Sequence, residues 1–300
     1  MAFDGHAFGQ PLFANECSGD VTEATDIIVL DWDGGTSPIY PEYEFDGLDL
    51  RLFRTGKRST LAEDAELFKE LVRQEIVTIY RDVPEVNICV RNGPVAAIGD
   101  VTTVLLTQAL QPDDVGDIGE AEHDLCNRQH DNSALIFGEQ IRRLTGSNTL
   151  DEWVHLFANV CAHEIGHTLG FAHNYYDSEL GRISVMDYPH PLIRIKPDNT
   201  LDLSDAYTRG IGAWDRVVIH YGYQDFPPET DEKKELNNIL NRAFSAGLYY
   251  LSDRDSWPPE SAHPLAHLWD NGRHPVEELK HIMKVRKIAL AGFSEERIPK

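Results

Sequence analysis

The stretch CAHEIGHTLGFAHN, from Cys161 to Asn174, places the tightest constraint on what this chain can fold into. On an α-helix His163 and His167 lie one turn apart on the same face, with Cβ atoms about 6 Å apart. Both rings can then reach one metal ion at roughly 2.0–2.1 Å. A helix that simply continued would carry His173 about 15 Å along the axis, out of reach. For the third ring to join, the helix must stop and the chain turn back. Gly170 is the residue that can take a left-handed cap conformation at that point.

Three neutral imidazole ligands leave a tetrahedral zinc ion with one open position, the arrangement of catalytic rather than structural sites. Water in that position has its pKa lowered to about 7. Glu164, next to the first ligand, can act as general base toward that water and then return the proton to a leaving amine. HExxH alone is a weak signal; with Gly170 and His173 in register it becomes specific. An amphipathic helix with solvated histidines is the bland alternative. A zinc site that binds without catalysing is another, and the intact Glu164 speaks against it.

At 300 residues, 41% hydrophobic and 26% charged, the chain is long enough for one large domain or two lobes. Residues 1–25 read as an irregular arm. DIIVLDW (26–32) is a compact apolar strand, and EVNICVR (85–91), VTTVLLT (101–107) and SALIFGE (133–139) are further strands. Between the first two, Leu61, Ala65, Phe68, Leu71, Val72, Ile76 and Ile79 recur at helical spacing, which predicts a helix over 60–82. A second helix is predicted over 149–170, capped by Thr149 and ended by Gly170. Beyond Pro189 two more helical patterns appear, YTRGIGAWDRVVIHYGY and PVEELKHIMKVRKIALAGF. The expected class is α/β (α+β): a twisted mixed sheet with a backing helix and an active-site helix, then a mainly helical C-terminal part. The expected units are an arm 1–25, a sheet-bearing subdomain 26–173 and a C-terminal subdomain 174–300.

A net charge of −23 argues against a nucleic-acid partner, which needs clustered Lys and Arg. No run of 18 or more apolar residues predicts a membrane span. MAFDGHAFGQ has neither a basic n-region nor an apolar h-region, so no signal peptide is visible there. The chain is then either intracellular or an exported protein whose signal lies outside this sequence. Cys89 and Cys161 sit in apolar patterns and are expected as small core residues, whereas Cys17 and Cys126 lie in polar segments and can form a bridge.

A second signal follows the histidines: SVMDYP, 184–189. The pattern HExxHxxGxxH followed by such a methionine turn resembles the metzincin clan of zinc endopeptidases. The resemblance implies that His163, His167 and His173 bind one zinc ion. It places Met186 as an apolar floor beneath them and Tyr188 near the metal, where its phenol can stabilise an oxyanion, as in the astacin-like and serralysin-like branches. LSDAYTRGIGAWDRVVIHYGY and HPLAHLWDNGRHPVEELKHIMKVRKIAL are similar to the C-terminal part of a bacterial metzincin group. That group includes large secreted or envelope-associated proteases and the proteolytic subunit of a pentamer-binding toxin, so the resemblance favours a secreted or periplasmic setting. One mark departs from the clan. Asn174 follows the third ligand where astacins carry Glu, serralysins Pro, matrixins Ser or Thr and adamalysins Asp.

The expected substrate is a protein or peptide lying extended along the sheet edge near 117–126. A competing class is a binding module that docks a partner through its C-terminal helices, suggested by the aromatic-rich stretch from Tyr249 to Trp269. Asp113, Asp114, Asp117, Glu120, Glu122 and Asp124 could supply oxygen ligands to calcium, though without a fixed loop pattern a solvated acidic loop is expected. Cys17 could cap zinc in a latent form. His123, His130 and His190 are expected at the surface.

Overall fold

The computed structural model describes residues 26–81, 83, 86, 88–93, 101–112, 117–124, 132–144, 149–176, 181–187, 192–204, 206, 210–256, 263–266 and 274–293. Strand β1 (Asp26–Asp31) is followed by the hairpin β2 (Gly34–Ser37) and β3 (Tyr40–Asp46), and then by helix α1 (Ala65–Tyr80). Strands β4 (Ile88–Asn92), β5 (Val101–Thr107), β6 (Gly119–Ala121) and β7 (Ser133–Phe137) come next, then helices α2 (Gly138–Leu144) and α3 (Leu150–Thr168). The main sheet has the order β4-β1-β5-β7-β6. Its first four members run parallel, and β6 pairs antiparallel with β7 at the edge. This is the mixed α/β architecture expected from the sequence.

Alternation along the central strands explains the layering. Val104, Leu106, Ala134 and Ile136 join the main core with α1 and α3. Leu105, Leu135 and Phe137 point the other way, onto Tyr40 and Phe45 of the hairpin. With both faces covered, β5 and β7 read as nearly continuous apolar runs. The hairpin itself was legible only as a polar loop, because β3 buries just Tyr40 and Phe45 of its seven residues. The helix predicted over 60–82 starts as a 3-10 turn, Leu61–Asp64, and becomes α-helical only from Ala65 to Tyr80.

Helix α3 begins at a reciprocal cap. Thr149 Oγ1 accepts from Glu152 N at 3.2 Å, and Glu152 Oε2 accepts from Thr149 N at 3.2 Å. From Trp153 onward nearly every residue is buried, so this helix is wrapped on all sides. Phe157 meets Phe53 and Phe68 edge-on, with centroids 5.5 and 5.6 Å away. Tyr80 Oη donates to Ala162 O at 2.6 Å and joins α1 to α3.

After a small hairpin, β8 (Arg194–Ile195) and β9 (Leu201–Asp202), come helices α4 (Ala213–Tyr223), α5 (Glu232–Ser245), α6 (Asp253–Ser256) and α7 (Pro275–Ala291). The patterns around 207–223 and 275–293 correspond to α4 and α7. Helix α5 was not anticipated, although Leu236, Ile239, Leu240, Ala243 and Phe244 recur at helical spacing; of these only Ile239 and Ala243 are buried. Met186, Ile211 and Ile219 belong to the same core as α3, so the apolar interior continues past His173. No helix among the described residues is long and apolar enough to cross a membrane.

One cysteine expectation is corrected. Cys89 is buried but disulfide-bonded, not a free apolar side chain. It lies on β4, the outer strand of the sheet, where a side chain can meet a neighbouring segment. Cys161 is free and fully buried in α3, while Cys17 and Cys126 lie outside the described residues.

Phe157 is the side chain on which the two helices and Phe53 converge. Phe157→Ala is expected to cost about 3–5 kcal/mol, the usual range for emptying a buried aromatic site. Denaturant titration checks this, and a loss below about 1 kcal/mol would mean that the aromatic cluster does not hold the helices together.

Candidate metal centre

His163 and His167 project from the last turns of α3 and are 7% and 3% exposed. The helix then ends as the glycine predicts. Phe171 N donates to Gly166 O at 2.8 Å and Gly170 N to His167 O at 2.9 Å, with Gly170 at φ +87°. This is a Schellman closure, and only a residue without a Cβ enters that backbone region freely. The turn brings His173 back against the helix, and its Nε2 lies 3.0 Å from that of His167. One potential ligand atom from each of His163, His167 and His173 falls within 4.8 Å of the others, the one such cluster among the described residues.

Each ring is aimed by its other nitrogen. His163 Nδ1 is 2.6 Å from Val185 O, His167 Nδ1 is 2.9 Å from Phe171 O, and His173 Nδ1 is 3.1 Å from Asp253 Oδ2. A carbonyl or carboxylate oxygen only accepts, so all three Nδ1 atoms carry the proton. Burial lowers the His163 pKa to about 3, with His173 adding to the effect, and drives that of His167 down as well. Burial also lowers that of His173, against the opposing pull of Asp253. The rings are therefore neutral and their Nε2 atoms bare. Two bare nitrogens 3.0 Å apart repel unless a cation lies among them, and tetrahedral ligation at 2.0–2.1 Å sets its nitrogens roughly 3.3 Å apart. The donor set fits zinc.

The turn carrying Val185 and Met186 is anchored from α4 by Asp215, which is 1% exposed. Asp215 Oδ1 accepts from Ser184 Oγ at 2.5 Å, and Oδ2 accepts from Val185 N at 2.9 Å and Gly212 N at 2.6 Å. Burial pushes its carboxyl above the usual carboxylate range while these three donors pull it back. Ser184 Oγ in turn accepts from Met186 N at 3.0 Å. Met186 packs against Gly166, between the two helical histidines: a Cβ built there would lie 2.5 Å from the methionine Sδ.

Glu164 is 4% exposed and lies beneath the edge strand. A Cβ on Gly119 of β6 would fall 2.3 Å from its Oε1, so a glycine is what lets the strand pass over the carboxyl. Burial raises the pKa of Glu164 well above the carboxylate range, and Asp117 and Glu120 raise it further. His123, expected at the surface, is indeed exposed, yet its ring stacks on His167 with centroids 4.1 Å apart. Sequence reasoning singled out neither Gly119, Asp215 nor Asp253, and nothing in their own surroundings marks them.

Among the acidic-loop residues, Glu120 accepts from Tyr40 Oη at 2.8 Å and Gln111 Nε2 at 3.1 Å, and Glu122 accepts from Ser133 N at 2.7 Å. These carboxylates, with Asp117 and Asp124, gather no three-ligand cluster among the described residues. Asp113, Asp114, His130, Tyr188, His190 and Cys17 lie outside those residues. Tyr249 and Tyr250 pack on their neighbours, Tyr249 stacking on Phe244 at 5.8 Å and Tyr250 on Trp214 at 5.6 Å.

Residues 147–300 match the profile of a family described as Met-zincin. No protein of curated function matches the chain.

Gly166→Ala forces the Met186 sulfur and its turn away from the helix. The expected result is a destabilisation of about 1–3 kcal/mol from overpacking, together with lower zinc retention. Melting temperature and elemental analysis check both, and an unchanged value of each would show that the contact between Gly166 and Met186 does not brace the site.

Proposed function

Since the chain belongs to the Met-zincin family, we propose that it is a zinc-dependent endopeptidase that hydrolyses peptide bonds in protein or peptide substrates. The observation that carries this reading is the convergence of three ring nitrogens whose partner nitrogens are all committed as donors. His163, His167 and His173 would hold the ion. When bound, zinc supplies Lewis acidity toward the scissile carbonyl.

Glu164 is the general base. It takes a proton from the attacking water on its carboxylate and delivers it to the leaving amine. Its burial beneath β6 supports the assignment, because a raised carboxyl pKa moves toward the neutral range in which such a base works best. The substrate binds as an added strand. Among the described residues β6 pairs with β7 alone, so its outer edge offers backbone donors and acceptors to an extended peptide, directly above Glu164. Met186 is the floor of the site, and Tyr188, two residues on, is assigned to the oxyanion by resemblance. The disulfide at Cys89 favours an oxidising compartment, in keeping with secretion or the periplasm.

A second reading, docking of a partner through the C-terminal region, is supported by α7. Leu279 and Leu290 on that helix are 61% and 60% exposed, and Val276 and Met283 are also exposed.

Glu164→Ala is expected to keep the metal and the fold while losing at least about a hundredfold in turnover. Peptide cleavage surviving within a few-fold would place water activation elsewhere. Tyr188→Phe separates chemistry from packing. A phenol that donates only in the transition state predicts that kcat and kcat/KM fall together by about 10²–10³, with KM nearly unchanged. Normal kcat with a lower melting temperature would make Tyr188 a structural residue.

A further inference from the structure

The third histidine is held differently from the other two. His163 and His167 stand on a buried helix, with carbonyls as their Nδ1 partners. His173 lies beyond the helix end, and a carboxylate 80 residues later faces its Nδ1: Asp253, at 3.1 Å through Oδ2 and 3.4 Å through Oδ1. Tyr175 Oη donates to the same carboxylate at 3.1 Å. Asp253 opens the short helix α6, whose turn is closed by Ser252 N donating to Asp255 Oδ2 at 2.9 Å.

The two segments are also fastened to each other along their backbones. Tyr175 N donates to Leu251 O at 2.7 Å, Leu251 N to Asn174 Oδ1 at 3.0 Å, and Asn174 Nδ2 to Tyr249 O at 3.0 Å. Asn174 is 1% exposed, so this clasp is dry. An amide both accepts and donates, which a carboxylate or a proline at that position would not do. The departure from the clan at Asn174 thus has a local physical use.

We propose that Asp253 is the positioning residue of the third ligand, and that segment 249–255 is a latch through which the C-terminal region sets how tightly the ion is held. The proposal rests on the zinc-peptidase reading above. A carboxylate on Nδ1 fixes the tautomer, aims the ring and strengthens Nε2 as a donor to metal. Because the contact forms only when the latch is closed, ion binding and latch closure favour each other. Removing such a partner costs about 10–100-fold in metal affinity. The Asp253 side chain is 53% exposed and so partly screened by water, which points to the lower end of that range.

The test is zinc binding by the metal-stripped full chain, measured by competition with a chromophoric chelator, for wild type, Asp253→Ala and Asp253→Asn. Melting temperatures are recorded with and without zinc. The expected result is a zinc Kd about tenfold weaker in Asp253→Ala and an intermediate loss in Asp253→Asn, which keeps the shape and one acceptor but not the charge. The metal-free melting temperature should stay at the wild-type value in Asp253→Asn and fall in Asp253→Ala, which also loses the bond from Tyr175 Oη, by less than the zinc-bound value falls. Zinc affinities within twofold of wild type in both variants overturn the proposal. An affinity loss matched by an equal fall in metal-free stability also overturns it, making Asp253 a structural residue. A wild-type chain that binds no zinc overturns the metal centre itself, and the latch with it.

Discussion

The three imidazoles can face a single point only because each Nδ1 is claimed by an oxygen from a different segment. Val185 O comes from the turn after the histidine loop, Phe171 O from the residue just past the helix closure, and the Asp253 carboxylate from α6. Burial keeps the rings neutral, and the oxygens decide which nitrogen is bare. Without those partners the same rings on the same backbone could rotate or take the other tautomer, and the cage would be lost though its spacing remained.

Two of the three claims come from beyond His173, which explains why the region after it packs as it does. Asp215 on α4 fixes the turn whose carbonyl aims His163, and Asp253 on α6 faces His173. Tyr223, also on α4, donates to Leu169 O at 2.8 Å and seals the end of α3. The middle ligand alone is aimed from its own neighbourhood, through the Schellman closure. The family match follows this division: its span, 147–300, starts at the head of α3 and takes in every residue of the cage and every partner named for it.

What the sequence made legible is what depends on short separations. Two histidines four apart, a glycine three further on and a third histidine dictate a helix, a left-handed closure and a return, and the chain does each. The apolar runs of β5 and β7 were plain because both faces of those strands are covered, and that of β1 because Ile28, Val29 and Leu30 are all buried. The parts that were not legible lie in pairings across long separations. Nothing near Asp215 or Asp253 distinguishes them from other acids in a chain with 50 of them. β6 lies at the sheet edge expected near 117–126, but its three half-buried residues are too few for a period to show how it pairs, and Cys89 alternates with apolar neighbours just as an unbridged core cysteine would. Pattern reports which face is buried, not which distant group it meets there.

Gly119 shows how the two halves of the site depend on each other. The edge strand runs close enough over Glu164 that any Cβ at that position would collide with the carboxyl. The strand proposed to receive the peptide therefore also shields the proposed base from bulk solvent. Desolvation raises the proton affinity of Glu164, and Asp117 and Glu120, on either side of Gly119, raise it further. A peptide pairing with the outer edge of β6 would shield this region from solvent still more. In that arrangement, alignment of the substrate and the basicity of Glu164 are set by one stretch of backbone, and a change in the course of β6 alters both together.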